Sequence, residues 1–254
     1  MRHVIIRLPK VIEYEPGRTK ELHPYNSFIT DENRFQANGF DLEEPDFETY
    51  GLRDVDGNRV SIFPASFIDE YDDLERGPQI VGRSDLGYLI TACGITDETS
   101  VLDAGSGSGA LSIYLARLAD SVTTFDVVED HVELTRTNTE VLDVDLDVNH
   151  GDITDPSVIE RDAYDVFTLD IPEPWTAFDT ATKAVRIGGF FAVYTPQITQ
   201  AQRVVVASPE ALSHEQTVDL EVTEWQVGED VLRPTSQGLQ HTGFITVFRN
   251  IDTQ

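Results

Sequence analysis

Four acids and a tyrosine each stand at the end of a strand-like run in this chain: Asp103 after Ser100–Leu102, Asp126 after Ser121–Phe125, Asp152 with Gly151 after Leu146–His150, Asp170 after Tyr164–Leu169, and Tyr194 at the end of Phe190–Tyr194. Carboxylates at strand ends accept hydrogen bonds from hydroxyl and amino groups, the chemistry that holds a nucleoside. The first acid opens the loop Asp103-Ala104-Gly105-Ser106-Gly107-Ser108-Gly109-Ala110. Its glycines permit positive φ and close approach of a ligand to the backbone, and the amides opening the next helix face the crevice. The loop fits two patterns, the Gly-x-Gly-x-Gly of S-adenosylmethionine (SAM) sites and the Gly-x-Gly-x-x-Ala of dinucleotide sites.

The stretch Asp170-Ile171-Pro172-Glu173-Pro174-Trp175 separates the two. An acid followed by two prolines and an aromatic makes a stiff loop with little freedom to lose on binding. Its carboxylate can hold an exocyclic amino group while an adjacent aromatic face packs a flat ring. Methylation of an aminopurine requires both; a dinucleotide oxidoreductase requires neither, and no hydride-transfer pair accompanies the loop. With SAM as ligand, Asp126 is assigned to the ribose hydroxyls. Asp152 is assigned to the adenine amino group, with backbone amides near Ile153 reading the ring edge.

The elements that position these residues alternate. A helix capped at Ser84-Asp85 runs to Gly94. The glycine strand and its helix (110–118), a strand at 121–126, a helix at 132–142 and strands at 146–150 and 164–170 follow. A helix closed by Gly188-Gly189 leads to a fifth strand at 190–194. This β-α-β-α order is that of a doubly wound parallel sheet. The tail differs: Val218, Leu220 and Val222 alternate with acids and Thr242–Phe248 is another strand, with no helix expected between them. Such a pair is antiparallel at the sheet edge. Residues 1–75 read as a small β-rich module with a helical linker: strands at 4–8, 11–14 and 59–63, a hairpin turn at Asp56-Gly57-Asn58 and a short helix capped by Ser66. Residues 76–254 form the larger domain.

A chain of 254 residues has apolar content for a real core. No apolar run approaches the roughly 20 residues of a membrane span, and the N-terminal apolar segment is too short for a secretory signal. Cys93, the one cysteine, lies among apolar neighbours, where an inert thiol in a reducing cytoplasm is expected. No metal-ligand spacing appears. The balance of 46 acids against 18 Lys and Arg gives a net charge of −28, and Lys10, Lys20 and Lys183 are the only lysines. The acids recur along the whole chain, so the charge belongs to the surface rather than to a tail. Molar salt, where the Debye length is about 3 Å, makes such a surface tolerable, so a salt-accumulating source is expected.

Several motifs in this order resemble those of the tRNA (adenine-N1) methyltransferases that modify the T-loop, particularly the archaeal type. They are Gly77-Pro78-Gln79-Ile80-Val81 with Asp85, the glycine loop, Leu169–Trp175, Gly188–Pro196 with Gln200, and Arg233-Pro234 followed by His241-Thr242-Gly243-Phe244. The resemblance implies a class I SAM-dependent methyltransferase fold, Rossmann-like with a mostly parallel seven-stranded sheet, plus a small N-terminal domain. It also implies a cytoplasmic homotetramer acting on adenine 58, and in archaea also 57, of tRNA. It places Gln79, Asp103, Ala104, Gly105, Ser106, Gly107, Ser108, Gly109, Asp126, Asp152, Ile153 and Asp170 at the cofactor. Asp170 and Tyr194 stand at the reacting base, and Trp175, Arg233, His241 and Thr242 border the substrate. Two departures matter. Gly82 stands where the family pattern has Tyr or His, followed by Arg83-Ser84 instead of Pro-Lys, so if that aromatic stacks the target base another ring, Trp175 or Tyr194, has to replace it; and the N-terminal module matches the family poorly. Two other readings are a SAM-dependent enzyme for a small molecule and a non-catalytic RNA-binding subunit; an intact Asp170 weighs against the latter. His131 and His150 are expected at the surface or as caps. Because the surface is acidic, RNA affinity is expected to rest on Arg83, Arg233, Arg34 and Arg53 with stacking and shape recognition.

Overall fold

The computed structural model describes residues 1–23, 25–32, 34–37, 40–77, 81–228, 231–235 and 241–252. Gln79 therefore lies outside the described residues. The chain divides into two compact units, Met1–Leu74 and Glu75–Gln254.

The smaller unit is built on a four-stranded antiparallel sheet in the order Asn26–Thr30, His3–Arg7, Asn58–Pro64, Gly51–Val55. Ile5, Val60 and Ile62 fill one face of it and pack with Phe40, Leu42 and Phe47. The turn at Asp56-Gly57 has both residues at positive φ (52° and 74°), the geometry that matches the twist of a hairpin. The expected strand at 11–14 exists as Lys10–Glu15, paired in a separate ribbon with Arg18–His23. Helix Phe67–Asp72 starts where the Ser66 amide donates to Asp69 Oδ2 at 2.9 Å.

In the larger unit the strands are β1 (Ser100–Ala104), β2 (Ser121–Asp126), β3 (Asp147–His150), β4 (Tyr164–Leu169), β5 (Val185–Thr195), β6 (Leu212–Asp219) and β7 (Phe244–Asn250). They form one sheet in the order β3-β2-β1-β4-β5-β7-β6. β7 runs antiparallel to both β5 and β6, while the β1, β2, β3, β4 and β5 pairs are parallel. The antiparallel tail pair is thus present, with β7 inserted one place in from the edge. The helices are α1 (Arg83–Cys93), α2 (Ala110–Ala116), α3 (Glu129–Leu142), α4 (Phe178–Ala184) and α5 (Ile198–Ala207). Phe167, Phe178, Phe191 and Phe248 form the centre of one core layer, with ring centroids 5.1 Å apart for Phe167–Phe191 and 6.0 Å for Phe191–Phe248. Aromatic pairs of this kind contribute roughly 0.5–1.5 kcal/mol beyond their area. Here they lock β4, β5 and β7 together and so fix the strand ends carrying Asp170 and Tyr194.

Four local expectations are corrected. α1 begins at Arg83 with Gly82 as its cap residue, because Asp85 turns inward and is fully buried. Gly188-Gly189 does not close a helix. It lies inside β5 at an irregularity in the pairing with β4, where a Cβ on Gly189 would sit 2.5 Å from the Asp165 carbonyl oxygen. Only glycine fits that close approach. The penultimate strand lies at 212–219 rather than 218–222, since its buried residues begin at Leu212. Helix α5 went unanticipated: only Ala201 and Val204 of it are buried, too narrow a stripe to read in ten residues.

Candidate functional site

The rim of the crevice is set by backbone pairing at the strand ends. Asp170 N donates to Ala104 O at 2.9 Å, and Gly105 N donates to Phe125 O at 2.9 Å, which ties the ends of β4, β1 and β2 together. Gly105 (φ +86°) allows this: a Cβ there would lie 1.9 Å from the Asp170 carbonyl oxygen. Gly109 (φ +79°) lets α2 start against α3, since its Cβ would lie 2.9 Å from Thr135 Cγ2. Gly107 (φ +56°) has nothing within 4 Å and presents open backbone. Ser106 is held by Thr135 Oγ1 at 3.2 Å, and the Ser108 carbonyl accepts from Asn138 Nδ2 at 2.8 Å. Ser108 Oγ is buried without a hydrogen-bond partner.

The acids differ in how far their neighbours use them. Asp103 is buried and accepts from Thr124 Oγ1 and Thr168 Oγ1, each at 2.7 Å. Both its oxygens therefore serve the sheet, and Ala104 follows it as the last residue of β1. Burial pushes the Asp103 carboxyl up to about 6 against those two hydrogen bonds, with Asp126 adding repulsion. Asp126 accepts from Val128 N at 2.9 Å on Oδ1, and from Gly107 N at 3.0 Å and His131 Nδ1 at 3.2 Å on Oδ2. A carboxylate offers about four acceptor sites, so one remains for a ribose hydroxyl, and a second if the half-exposed His131 swings aside. His131 thus joins the site at Asp126 instead of keeping a purely surface role; its place five residues after Asp126, on the first turn of α3, is the signal for it in the sequence. His150 Nε2 donates to the Val127 carbonyl oxygen at 3.1 Å, beside the same strand end.

Asp152 is exposed and commits Oδ1 to Thr154 N (2.9 Å) and Thr154 Oγ1 (2.7 Å), a turn that leaves its second oxygen for a ligand. Ile153 is buried in the core, its carbonyl bound by Thr180 Oγ1 at 2.7 Å. Burial first, then the Asp103 charge, raises the Asp170 carboxyl to about 6. Tyr194 is buried and its phenol is raised to about 12, chiefly by burial and against a hydrogen bond with Thr242, with the Asp85 and Asp170 charges and a hydrogen bond to Asp85 adding to the rise. Its ring lies against Gly243, where a Cβ would come 2.4 Å from Cζ. Thr242 also approaches Gly82: a Cβ on Gly82 would meet Thr242 Cγ2 at 3.6 Å.

Asp103, Asp126, Asp170, Tyr194 and Thr242 are therefore brought together with the glycine turn. Trp175 sits on the adjoining loop, packed on the core with the Arg203 guanidinium over its ring. The His241 ring packs at a tilt of 54° against Phe244 with centroids 4.7 Å apart, at the start of β7. Arg233 lies on a hairpin, Trp225–Val227 with Leu232–Pro234, and donates Nε to Gln226 Oε1 at 3.1 Å; among the described residues no contact carries it to the rim. Arg53 is committed within the smaller unit, to Asp46. Cys93 is buried, and burial with the nearby Glu215 charge holds its thiol up at about 12, so it is inert.

The residues fit a cationic nucleoside donor. Open backbone at Gly107, an unpartnered hydroxyl at Ser108 and three desolvated or partly desolvated acids in mutual repulsion form a cradle in which a positive charge relieves strain.

The family profile described as the GCD14 subunit of the tRNA methyltransferase complex matches residues 72–243. The chain is similar to the tRNA (adenine(57)-N(1)/adenine(58)-N(1))-methyltransferase TrmI of Methanocaldococcus jannaschii, with 26% identity over 78% of this chain and 81% of that one. It is also similar to the tRNA (adenine(58)-N(1))-methyltransferase TrmI of Thermus thermophilus, with 29% identity over 76% and 78%. Among solved structures, the tRNA (m1A58) methyltransferase TrmI of Aquifex aeolicus superposes with a TM-score of 0.80 at 19% identity, covering 99% of this chain and 97% of that one. A SAM-dependent O-methyltransferase of Thermotoga maritima superposes with a TM-score of 0.78 at 22% identity, covering 100% and 94%. At those identities the structures speak to the fold, which is that of class I SAM-dependent methyltransferases.

Proposed function

The chain belongs to the family of the GCD14 subunit of the tRNA methyltransferase complex, and on that premise we propose that it transfers a methyl group from SAM to N1 of adenine 58 in the T-loop of tRNA. The observation that carries this reading is the seat of Asp170: its carbonyl oxygen occupies the space a Gly105 side chain would fill, so its carboxylate stands beside the glycine turn. The relatives' names supply the substrate.

When bound, SAM supplies an electrophilic methyl, taken up by the N1 lone pair while the sulfonium bond pair returns to sulfur. Asp126 and Asp152 hold the ribose and adenine of the donor. The glycine turn, from Asp103 and Ala104 through Gly105, Ser106, Gly107, Ser108 and Gly109, carries the donor's centre, with the backbone amide near Ile153 reading the edge of its purine. Asp170 accepts a hydrogen bond from the acceptor's N6 amino group, which aligns N1 and offsets the positive charge that develops on the ring. Tyr194, with Thr242 against it, walls the acceptor side; its high pKa keeps the phenol neutral and able to donate. N1 lies on the pairing edge, so the adenine has to leave its stack to reach Asp170. Trp175, Arg233 and His241 are assigned to the RNA side.

A homotetramer is supported by the exposed apolar hairpin carrying Trp225, Val227 and Leu232, a surface that a second copy would cover. A salt-rich cytoplasm is supported by the charge of −28. Mass spectrometry of tRNA nucleosides after incubation with enzyme and SAM tests the function, and mass spectrometry of nuclease fragments of the same tRNA separates position 58 from 57. N1-methyladenosine at 58 is expected; methylation only of small metabolites would overturn the assignment. Asp170→Ala should abolish transfer and leave SAM binding largely intact.

A further inference from the structure

Among the described residues, Arg2, Arg18, Arg53, Arg136 and Arg186 each pair with a carboxylate. Arg203, exposed on α5, pairs with none of them, although acids outnumber Lys and Arg by 46 to 18. Its guanidinium carbon lies instead over the Trp175 ring, 3.5 Å from the centroid. An upright guanidinium at that height would drive a nitrogen into the ring, so the two flat groups lie face to face. Trp175 is half-buried and packs on the core, whereas Arg203 is exposed, so the outer face of the guanidinium meets solvent. The pair stands at the rim of the site. Trp175 closes the stiff loop that Asp170 opens, and Gln200, one turn earlier on α5, holds that loop at the Pro172 carbonyl.

We propose that Arg203 is the stacking platform for the base adjoining the target adenine. The inference rests on the tRNA reading above. Taking the target out of its stack leaves a neighbouring base with one face bare. Aromatic rings and guanidinium planes are the protein surfaces that cover such faces in RNA, and Trp175, Arg203 and the neighbouring base make one column. The target ring is the wrong occupant. It gains positive charge as the methyl arrives at N1, and a guanidinium against it would oppose transfer. An uncharged neighbour meets no such repulsion. Guanidinium is also weakly hydrated for a cation, so covering its face costs little. Stacking draws little on released counterions, which suits a chain of net charge −28.

The test combines protein variants with altered tRNA. Binding to the full chain, with S-adenosylhomocysteine present, is measured for intact tRNA and for tRNA made abasic on the 5′ or the 3′ side of adenine 58. One of the two abasic tRNAs should bind the wild type about tenfold more weakly, the loss expected for one stacked base. Arg203→Ala should bind intact tRNA about tenfold more weakly, and the same abasic change should then weaken it less than about twofold. Arg203→Lys keeps the charge and loses the plane, so it should behave as Arg203→Ala does. Unchanged affinity for S-adenosylhomocysteine shows that the variants are folded. Wild-type binding by Arg203→Lys, losses that multiply at both neighbours, or intact tRNA bound normally by Arg203→Ala overturns the proposal. A wild type that leaves adenine 58 unmethylated overturns the tRNA reading instead. Normal methylation with indifference to both abasic sites overturns this inference alone, so the two failures are distinguishable.

Discussion

The Arg203 guanidinium lies 3.5 Å from the centroid of the Trp175 ring. Three residues earlier on α5, Gln200 Nε2 donates to the Pro172 carbonyl at 3.2 Å. Helix α5 thus grips the Asp170–Trp175 loop at two points, and one face of Trp175 is covered. If Trp175 stacks the target base, its other face or an edge does so, or Arg203 moves. A cation–π contact of this kind is worth about 0.5–2 kcal/mol. Arg203→Ala should lower kcat by several-fold through a looser Asp170 loop, with unchanged affinity for S-adenosylhomocysteine. Steady-state kinetics beside calorimetry check this; an unaltered kcat would remove the bracing role.

Gly105→Ala should be far more damaging than its size implies. The residue combines φ +86° with a 1.9 Å approach to a backbone oxygen that has no freedom to rotate away. The left-handed conformation alone costs roughly 1–2 kcal/mol, and relief of the clash displaces Asp170. Loss of SAM binding with a lowered Tm is expected. Gly107→Ala, where φ is +56° and nothing lies within 4 Å, should keep the fold and weaken binding. Thermal melts and titration of both variants would expose an error in this ordering.

The acid limb of the pH–rate profile belongs to Asp170. With its carboxyl at about 6 in the free protein, kcat/KM for SAM should fall as pH drops through 6, because a protonated Asp170 neither offsets charge nor accepts from N6. Bound sulfonium favours the ionised form, so the limb in kcat should lie lower than the limb in kcat/KM. A kcat/KM flat down to pH 5 would contradict the assignment.

Stability should run the other way. Asp103 and Asp170 have folded-state values of about 6, above the roughly 3.9 of an unfolded Asp, so the folded chain binds more protons between about pH 4 and 6. Their contribution to stability therefore falls as pH rises through that window. Asp103→Asn, which keeps partners for Thr124 and Thr168, should raise Tm at pH 7 and flatten the slope. Chemical denaturation at pH 4.5 and 7 measures both.

Salt acts on the whole surface. A net charge of −28 should make Tm climb with potassium chloride up to molar concentration, as self-repulsion is screened. The affinity for tRNA should change little or rise over the same range, whereas binding by phosphate contacts would fall steeply. A steep loss in a filter-binding series would place the affinity back on the arginines.

The residues at the strand ends were legible because they repeat one local rule: an apolar run, then a polar residue where the strand leaves the sheet. That rule located Asp103, Asp126, Asp152, Asp170 and Tyr194, and the glycines at 105, 107 and 109 marked the turn between them. Composition carried the charge, and Asp-x-Pro-x-Pro-Trp carried the stiffness of one loop. Tertiary structure alone decided how each acid is spent. Asp103 is consumed by threonines from the strands on either side of it, Asp126 is shared between a turn and His131, and Asp85 reads as a helix cap until its burial is seen. It also decided that Gly188-Gly189 bends a strand rather than ends a helix, and that Trp175 has a lid. Local pattern reports what backbone conformation a residue favours. Whether its side chain meets water, a partner or nothing depends on chain segments tens of residues away, whose approach is set by packing.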